Sequence, residues 1–510
     1  MNFKTEILTP SGDSAQGGIW LFSWPLIIAL LVYSLLMFHG DILLRDADTY
    51  WHIATGQWIL EHRAIPTLDP FSHTMRGMPW TAHEWLSELI LAISHNVGGW
   101  TGVIAIPSLA YAATLAILTR VLLKSMEPAH AVLCVAFAIA MTKAHLLARP
   151  HVLALPCMML WTVGLVQGSE SGRSPRLWLL PVMTLWANLH GGFTLGLALT
   201  FACAIEALFN ARHTKSMMIT AKSWALFTAL AVISSLLTPH GMQGIFFTWQ
   251  ILFEGTYALA HIGEWLSPNF HTLQPVELWL LGLLALVIYH GLKLPPMRLL
   301  LLLGLLHLSL KHQRNIDLLG LLVPILVAAP FAVQWREKTQ NQQNAETLDR
   351  IFRKLAQSAG QAAVVAAFLL TLLLTPWVAH NRAPQPEEAI TPHQAIQAVK
   401  KAGISGPVFN EYSWGGYLIY LGIPPFIDGR ADMYGDVFFK AFVEALLLTK
   451  SDSLENLLDK YKIEWTLLTP GSPAVALLDH LPAWRRLYAD KVAVVHVRTD
   501  ASQTTAPDNK

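Results

Sequence analysis

Apolar stretches near residues 19–40, 101–123, 131–147, 152–167, 176–189, 192–210, 223–238, 276–292, 298–310, 316–335 and 361–380 alternate with short polar connections. A span needs about 20 apolar residues, so the pattern predicts about eleven transmembrane helices, some of them short. Residues 83–97 break the pattern. Glu84, Glu88 and His95 share one helical face while Leu86, Leu89, Ile90 and Ile93 share another, which predicts a helix lying in the membrane interface rather than crossing it. From about Ala383 the character changes again, because Pro384, Pro386 and Pro392 mark a linker. Beyond it, Val408–Asn410, Trp465–Leu468 and Val492–Val497 read as strands, and 436–449, 452–461 and 473–480 as helices. The expected architecture is a polytopic α-helical membrane domain over 1–382, with a first outer loop at 41–100, followed by a small α/β domain over 383–510.

Composition supports this division: of 510 residues 53% are hydrophobic and only 14% charged, against about 25% charged in a soluble domain. A net charge of +1 with no basic run excludes a nucleic-acid partner. Cys134, Cys157 and Cys203 all lie inside apolar stretches, without disulfide or zinc-ligand spacing. Residues 19–40 read as a retained signal anchor, being too long for a signal-peptide core and lacking a small-residue cleavage site. With the N-terminus inside, most cations flanking the spans, such as Lys124, Arg212, Lys222, Arg298 and Lys354, fall on cytoplasmic connections. The bias predicts that orientation and puts the C-terminal domain outside. The polar patch Gln340–Asn344 reads as a solvated linker.

In that topology the polar groups gather on the outer side: Asp46, Asp48, His52, His83, Glu84, Lys143, His145, Arg149, His151, Asn188, His190, His240, His261, Glu264, His312 and Arg314. Only His130, His213 and His290 fall near the inner face. Charged groups at membrane depth cost about 2.5–3.5 kcal/mol each, so a one-sided set predicts a polar, outward-opening cavity. Asp46 and Asp48 directly follow the first span, and an i, i+2 pair suits a loop or a helix start. The alternative role for Asp46 is to cap a helix running from about Asp48 to Leu60, worth about 1 kcal/mol. Asp46 is the preferred base and Asp48 its helper or rival. Glu264 adds a third carboxylate, and Asp46, Asp48 and Glu264 are the candidate ligands if a divalent metal is used. Arg149 and Arg314, at helix ends, have the fork geometry to hold a phosphate, or could snorkel to lipid headgroups. Asn188-Leu189-His190-Gly191-Gly192 reads as a tight outer hairpin, and the charged segment around Arg430 as a turn or a lid over the cavity.

Asp46, Tyr50, Ile53-Ala54, Trp58, Pro66 and Met78-Pro79-Trp80-Thr81-Ala82-His83-Glu84-Trp85-Leu86 form an ordered series after the first span. In this series the chain resembles the GT-C superfamily of polyprenyl-phosphate-sugar-dependent glycosyltransferases, notably the aminoarabinose and protein O-mannosyl transferase branch. The likeness is best over residues 19–123 and topological thereafter. Two departures stand out: where many relatives carry Asp-Glu this chain has Asp46-Ala47 with the second acid at Asp48, and Trp51-His52 and the Arg430 segment lie outside the general pattern. The resemblance implies an inverting transfer in a bacterial inner membrane, from a polyprenyl-phosphate-linked sugar to a lipid, glycan or protein acceptor. A carboxylate would serve as base, with no certain cofactor beyond a possible divalent metal. His52, His83, Glu84, His151, Asn188, His190, His240, His312 and Arg430 join Arg149, Glu264 and Arg314 as candidate substrate-binding residues. A transporter or flippase of lipid-linked glycans would favour repeated halves and broken helices at mid-membrane. No such repeat stands out. A surface-glycan ligase or polymerase remains the nearer rival, because it shares the donor type.

Overall fold

The computed structural model describes residues 22–253, 256–339, 354–357 and 359–499. The start of the first apolar stretch at 19–21 and the Gln340–Asn344 patch lie outside the described residues, as does the side chain of His290. Seven helices among the described residues are long and apolar enough to cross a membrane: Trp85–Ser125, Pro128–His145, Pro150–Ser171, Phe193–Ala211, Met217–Ser235, Gln313–Trp335 and Gln361–Asn381. Shorter apolar helices occupy Trp24–Phe38, Leu177–Leu189 and Pro275–Tyr289, and another runs over Pro296–Lys311. Each apolar stretch read from the sequence thus falls on one helix of a multi-pass membrane protein. Exposed Leu281, Leu284, Ile288, Leu300, Leu369 and Leu373 give these helices an apolar outer surface, as lipid contact requires.

The bundle is built around α3 (Trp85–Ser125), which packs against α1 (Trp24–Phe38), α2 (Asp48–His62) and α4 (Pro150–Ser171). Gly99, at φ 55° and ψ −147°, breaks α3 into two helices, a conformation that side chains disfavour and glycine accepts. The segment expected in the interface is therefore the first part of α3, leading directly into the spanning part. Its buried residues are Ser87, Glu88, Leu91 and Ala92, while Ile93 is exposed. The polar face turns into the protein. α2 crosses it closely at Gly56, where a Cβ would stand 2.1 Å from the Glu88 carbonyl oxygen. That crossing sets His52 over Glu88.

Arg298, one of the cations assigned to the cytoplasmic side, is buried, with its guanidinium 2.9 Å from both Glu206 and Glu170 and 3.1 Å from the Leu326 carbonyl. Its charge is balanced inside the bundle. It is therefore not a surface cation of the kind that sets orientation.

The C-terminal domain has a four-stranded sheet, ordered β1 (Val408–Asn410), β2 (Trp465–Leu468), β4 (Val494–Arg498), β3 (Trp484–Ala489). β1 and β2 are parallel and the other pairs antiparallel. β3 was not expected from the sequence. Trp484-Arg485-Arg486-Leu487-Tyr488-Ala489 does not alternate, because the register slips between Arg486 and Tyr488, and as an edge strand it exposes both arginines.

This domain grips the membrane domain in several places, one of them Asp436, whose two carboxylate oxygens accept the backbone N–H groups of Tyr257 and Ala258 at 3.0 Å. The hairpin around Leu68 and Pro79 docks on it through Thr74 Oγ1, which donates to Phe426 O at 2.7 Å, and His73 N, which donates to Pro425 O at 3.2 Å. Alongside, Tyr50 of α2 packs edge-on against Trp100 and Tyr417, ring centroids 5.0 and 5.1 Å apart.

Candidate active site

The site forms where the loop after α1 meets the loop before α4. Ala148 N donates to Leu43 O at 2.8 Å, and Thr49 Oγ1 to Ala148 O at 3.2 Å. Arg149 precedes Pro150, which forces it into extended backbone (φ −128°, ψ 160°) at the helix start. From there its guanidinium reaches three carboxylates: Asp46 Oδ2 at 3.0 Å, Asp48 Oδ2 at 2.8 Å and Glu264 Oε2 at 2.9 Å. Arg314 closes the row, 2.8 Å from Glu264 Oε1 and lying over the Trp265 ring at 4.4 Å. Residues far apart in the chain thus form one alternating ionic cluster of three acids and two arginines.

The two aspartates of this cluster are not equivalent. Asp46 uses one oxygen on Arg149 and the other to accept the Asp48 backbone N–H at 2.8 Å, so both are engaged; the N-cap of α2 is Ala47, not Asp46. Asp48 pairs with Arg149 through Oδ2 only. Its Oδ1 lies under the C-terminal domain, where a Cβ on Gly429 would stand 1.9 Å from it. Gly416 sits equally close to the loop, with 2.4 Å between its would-be Cβ and Ala47 O. Only glycines at these positions let the domain settle onto the acid loop. Burial pushes the Asp48 carboxyl up to about 7, with the charge of Asp46 adding and Arg149 opposing. Burial would also raise Glu264, but Arg149 and Arg314 hold it well below the usual carboxylate range.

Asp46, Asp48 and Glu264 were the candidate ligands for a divalent metal. They do not fit that role, because all three are directed at the Arg149 guanidinium, which supplies positive charge in the space where a shared ion would have to sit.

Beside this cluster lies a second one. Glu84 is ringed by His190 at 3.4 Å, His83 at 3.7 Å and His52 at 3.9 Å, and His52 Nδ1 is 3.5 Å from Glu88. In the expected hairpin, the Gly192 N–H donates to His190 Nδ1 at 3.0 Å, so the Nε2–H of the neutral ring faces Glu84. Burial pushes Glu84 up to about 7, against the pull of Arg149 and Arg314. Burial lowers His52, His83 and His190. Glu84 and its histidines form a polar wall whose charge state changes near neutrality.

Four candidate binding residues are otherwise engaged. Asn188 Oδ1 accepts from Trp85 Nε1 at 2.9 Å, while its Nδ2 donates to Thr184 O and Leu237 O. His240 Nε2 meets Ala82 O at 3.0 Å, and His312 Nδ1 meets Trp265 O at 2.6 Å. These three brace the walls through bonds within the protein. Arg430 does not form an open lid. It is 1% exposed, bidentate to Asp428 at 2.7 Å on both arms, 2.7 Å from Asp69 and stacked 4.7 Å from the Trp80 centroid. A charge-dense segment looked solvent-facing because its partner Asp69 lies in a distant loop.

Glu88 and Asp317, absent from the expected site residues, adjoin these clusters, and the His145 ring, expected only as one of the outer polar groups, lies between Glu264 and Asp317. Asp317 carried a readable signal. It is a lone acid at the start of an apolar span.

Together, the bundle, the acid loop after its first helix and the capping α/β domain define a GT-C-type membrane fold. No protein-family model and no curated protein matches the chain. Among solved structures it is similar to the oligosaccharyltransferase AglB from Archaeoglobus fulgidus in complex with an inhibitory peptide and a dolichol-phosphate. That match has a TM-score of 0.50 and 9% identity, and it covers 95% of this chain and 75% of that one. A match to ArnT from Cupriavidus metallidurans bound to undecaprenyl phosphate has a TM-score of 0.46 and 12% identity, covering 94% and 99%.

Proposed function

We propose that the protein transfers a sugar from a polyprenyl-phosphate donor to an acceptor on the extracytoplasmic face of a bacterial inner membrane, with Asp48 as the base. The observation carrying this reading is the row Asp46, Asp48, Arg149, Glu264, Arg314 at the end of the bundle under the α/β domain. The AglB fold supports it, since that protein is seen with a dolichol-phosphate.

In the proposed step an acceptor hydroxyl or amine gives its proton to the Asp48 carboxylate as its oxygen or nitrogen bonds to the anomeric carbon. The bond from that carbon to the phosphate oxygen breaks, and polyprenyl phosphate leaves with the electron pair. Arg314 has one nitrogen engaged by Glu264, leaving further donors of its five N–H groups for the phosphate, with Arg149 behind it. Positive charge set at the leaving group stabilises the transition state without reorganisation. Glu84 and its three histidines would line the acceptor side, and His151 lies beside His190, ring centroids 6.2 Å apart.

The test is direct. Purified protein in lipid, supplied with a polyprenyl-phosphate sugar and its acceptor, should release polyprenyl phosphate. Failure across a panel of such donors and membrane-extract acceptors would sink the reading. A base with a carboxyl near 7 must lose its proton to work, so kcat/KM should rise with pH and level off above about 7. Glu84 also titrates near 7. The rising limb should therefore stay in place in Glu84→Gln if Asp48 is its origin, and a limb that disappears in that variant would assign it to Glu84.

A further inference from the structure

We infer that His145, His151 and Asp317 form a binding site for one divalent transition-metal ion of the zinc class. One nitrogen of each imidazole and one Asp317 oxygen lie within 4.8 Å of one another. His145 Nδ1 and Asp317 Oδ2 are 3.1 Å apart. Two ligands bound at about 2.0–2.2 Å and separated by tetrahedral or right angles stand about 2.9–3.4 Å apart, so this pair already has the bite of a coordinated ion. Closing His151 onto the same ion takes a shift of about an ångström on that scale.

The surroundings match those of metal-bound imidazoles. A ligating histidine donates its other ring N–H to a carboxylate or a backbone carbonyl, which fixes its tautomer and aims its free nitrogen. Both rings here have such a partner. His145 Nε2 lies 3.2 Å from Glu264 Oε2, and His151 Nε2 lies 2.9 Å from the His145 carbonyl oxygen, leaving His145 Nδ1 and His151 Nδ1 for an ion.

An independent observation is the state of Asp317. Its side chain is 8% exposed, yet among the described residues Oδ1 has no hydrogen-bond partner. A buried carboxylate oxygen left bare is costly. A cation chelated by both Asp317 oxygens would satisfy it. The donor set also selects the ion: two imidazoles with one carboxylate suit zinc and its neighbours, whereas magnesium and calcium prefer oxygen ligands.

Such an ion would be a positioning element. It would tie the His145 segment and the start of α4 to the start of α5 (Ile316–Thr339) and fix the imidazole that holds Glu264, which in turn holds both Arg149 and Arg314. It stands apart from the three carboxylates gathered on Arg149, and the inference does not depend on sugar transfer.

The experiment is a Co²⁺ titration of full-length, tag-free protein in detergent after chelator treatment. One equivalent should bind, with visible absorption of nitrogen-ligated Co²⁺, and Zn²⁺ should displace it. His151→Ala and Asp317→Asn should each lose this binding, Glu264→Gln should weaken it about 10–100-fold, and Asp48→Asn should retain it. No bound Co²⁺ in the wild type would overturn the site whatever the variants do. So would undiminished binding in both folded ligand variants, or binding lost in Asp48→Asn and kept in His151→Ala. If His151→Ala does not fold, His151→Gln and Asp317→Asn decide the same point.

Discussion

Asp48→Asn is expected to lower kcat for sugar transfer by about 10²–10⁴-fold, the usual worth of a general base. Its thermal unfolding should move little. An asparagine oxygen can still accept from Arg149 Nη2, now 2.8 Å from Asp48 Oδ2, and Arg149 keeps Asp46 and Glu264. Removing the Asp48 charge also relieves repulsion from Asp46, which contributes to holding the carboxyl near 7. Asp46→Asn should cost less turnover, and its asparagine oxygen can still accept the Asp48 N–H at the start of α2. The comparison is decisive because the two side chains share one loop and one arginine. Turnover kept in Asp48→Asn and abolished in Asp46→Asn would move the base to Asp46, and turnover kept in both folded variants would remove the carboxylate mechanism altogether.

The membrane fold was legible in the sequence because its signal is local. Apolar runs mark spans whatever they pack against, and each of those read fell on a helix. β1 and β2 were legible for the same reason: Val408–Asn410 and Trp465–Leu468 are buried along their whole length and read as short apolar runs. β3 was not, since its residues answer to an edge and a register slip rather than to a two-residue period. Within the site, Arg149 could be picked out as an arginine at a helix end, but its partners Asp46, Asp48 and Glu264 come from two other loops. What those carboxylates face is a property of tertiary packing alone. The same limit explains why a metal could be entertained at three acids that turn out to surround a guanidinium, while Asp317 and His145, polar groups at the ends of apolar helices, passed unnoticed as a pair.

Arg430→Ala should be the most damaging single change to the fold, costing about 3–5 kcal/mol because it strips the partner from buried charges. Asp428 and Asp69 are both 0% exposed at their side chains, and each is 2.7 Å from the guanidinium. Without it they are left buried beside one another, with Tyr434 hydroxyl on one and the backbone N–H groups of Phe71 and Ser72 on the other. The clasp spans two units, since Asp69 belongs to the hairpin of the membrane domain and Asp428 to the α/β domain, so the loss falls on their docking. Gly429 is the next residue to Arg430 and overlies Asp48, so undocking should lower transfer as well. Arg430→Lys should fall between, because one ammonium cannot keep a bidentate grip on Asp428 and also reach Asp69. Thermal unfolding, with amide exchange over residues 67–80 and 408–430, reads both effects. Wild-type melting with unchanged exchange in Arg430→Ala would show that the domains are held by their other contacts instead, such as the Tyr50, Trp100 and Tyr417 packing and the Asp436 bonds to Tyr257 and Ala258.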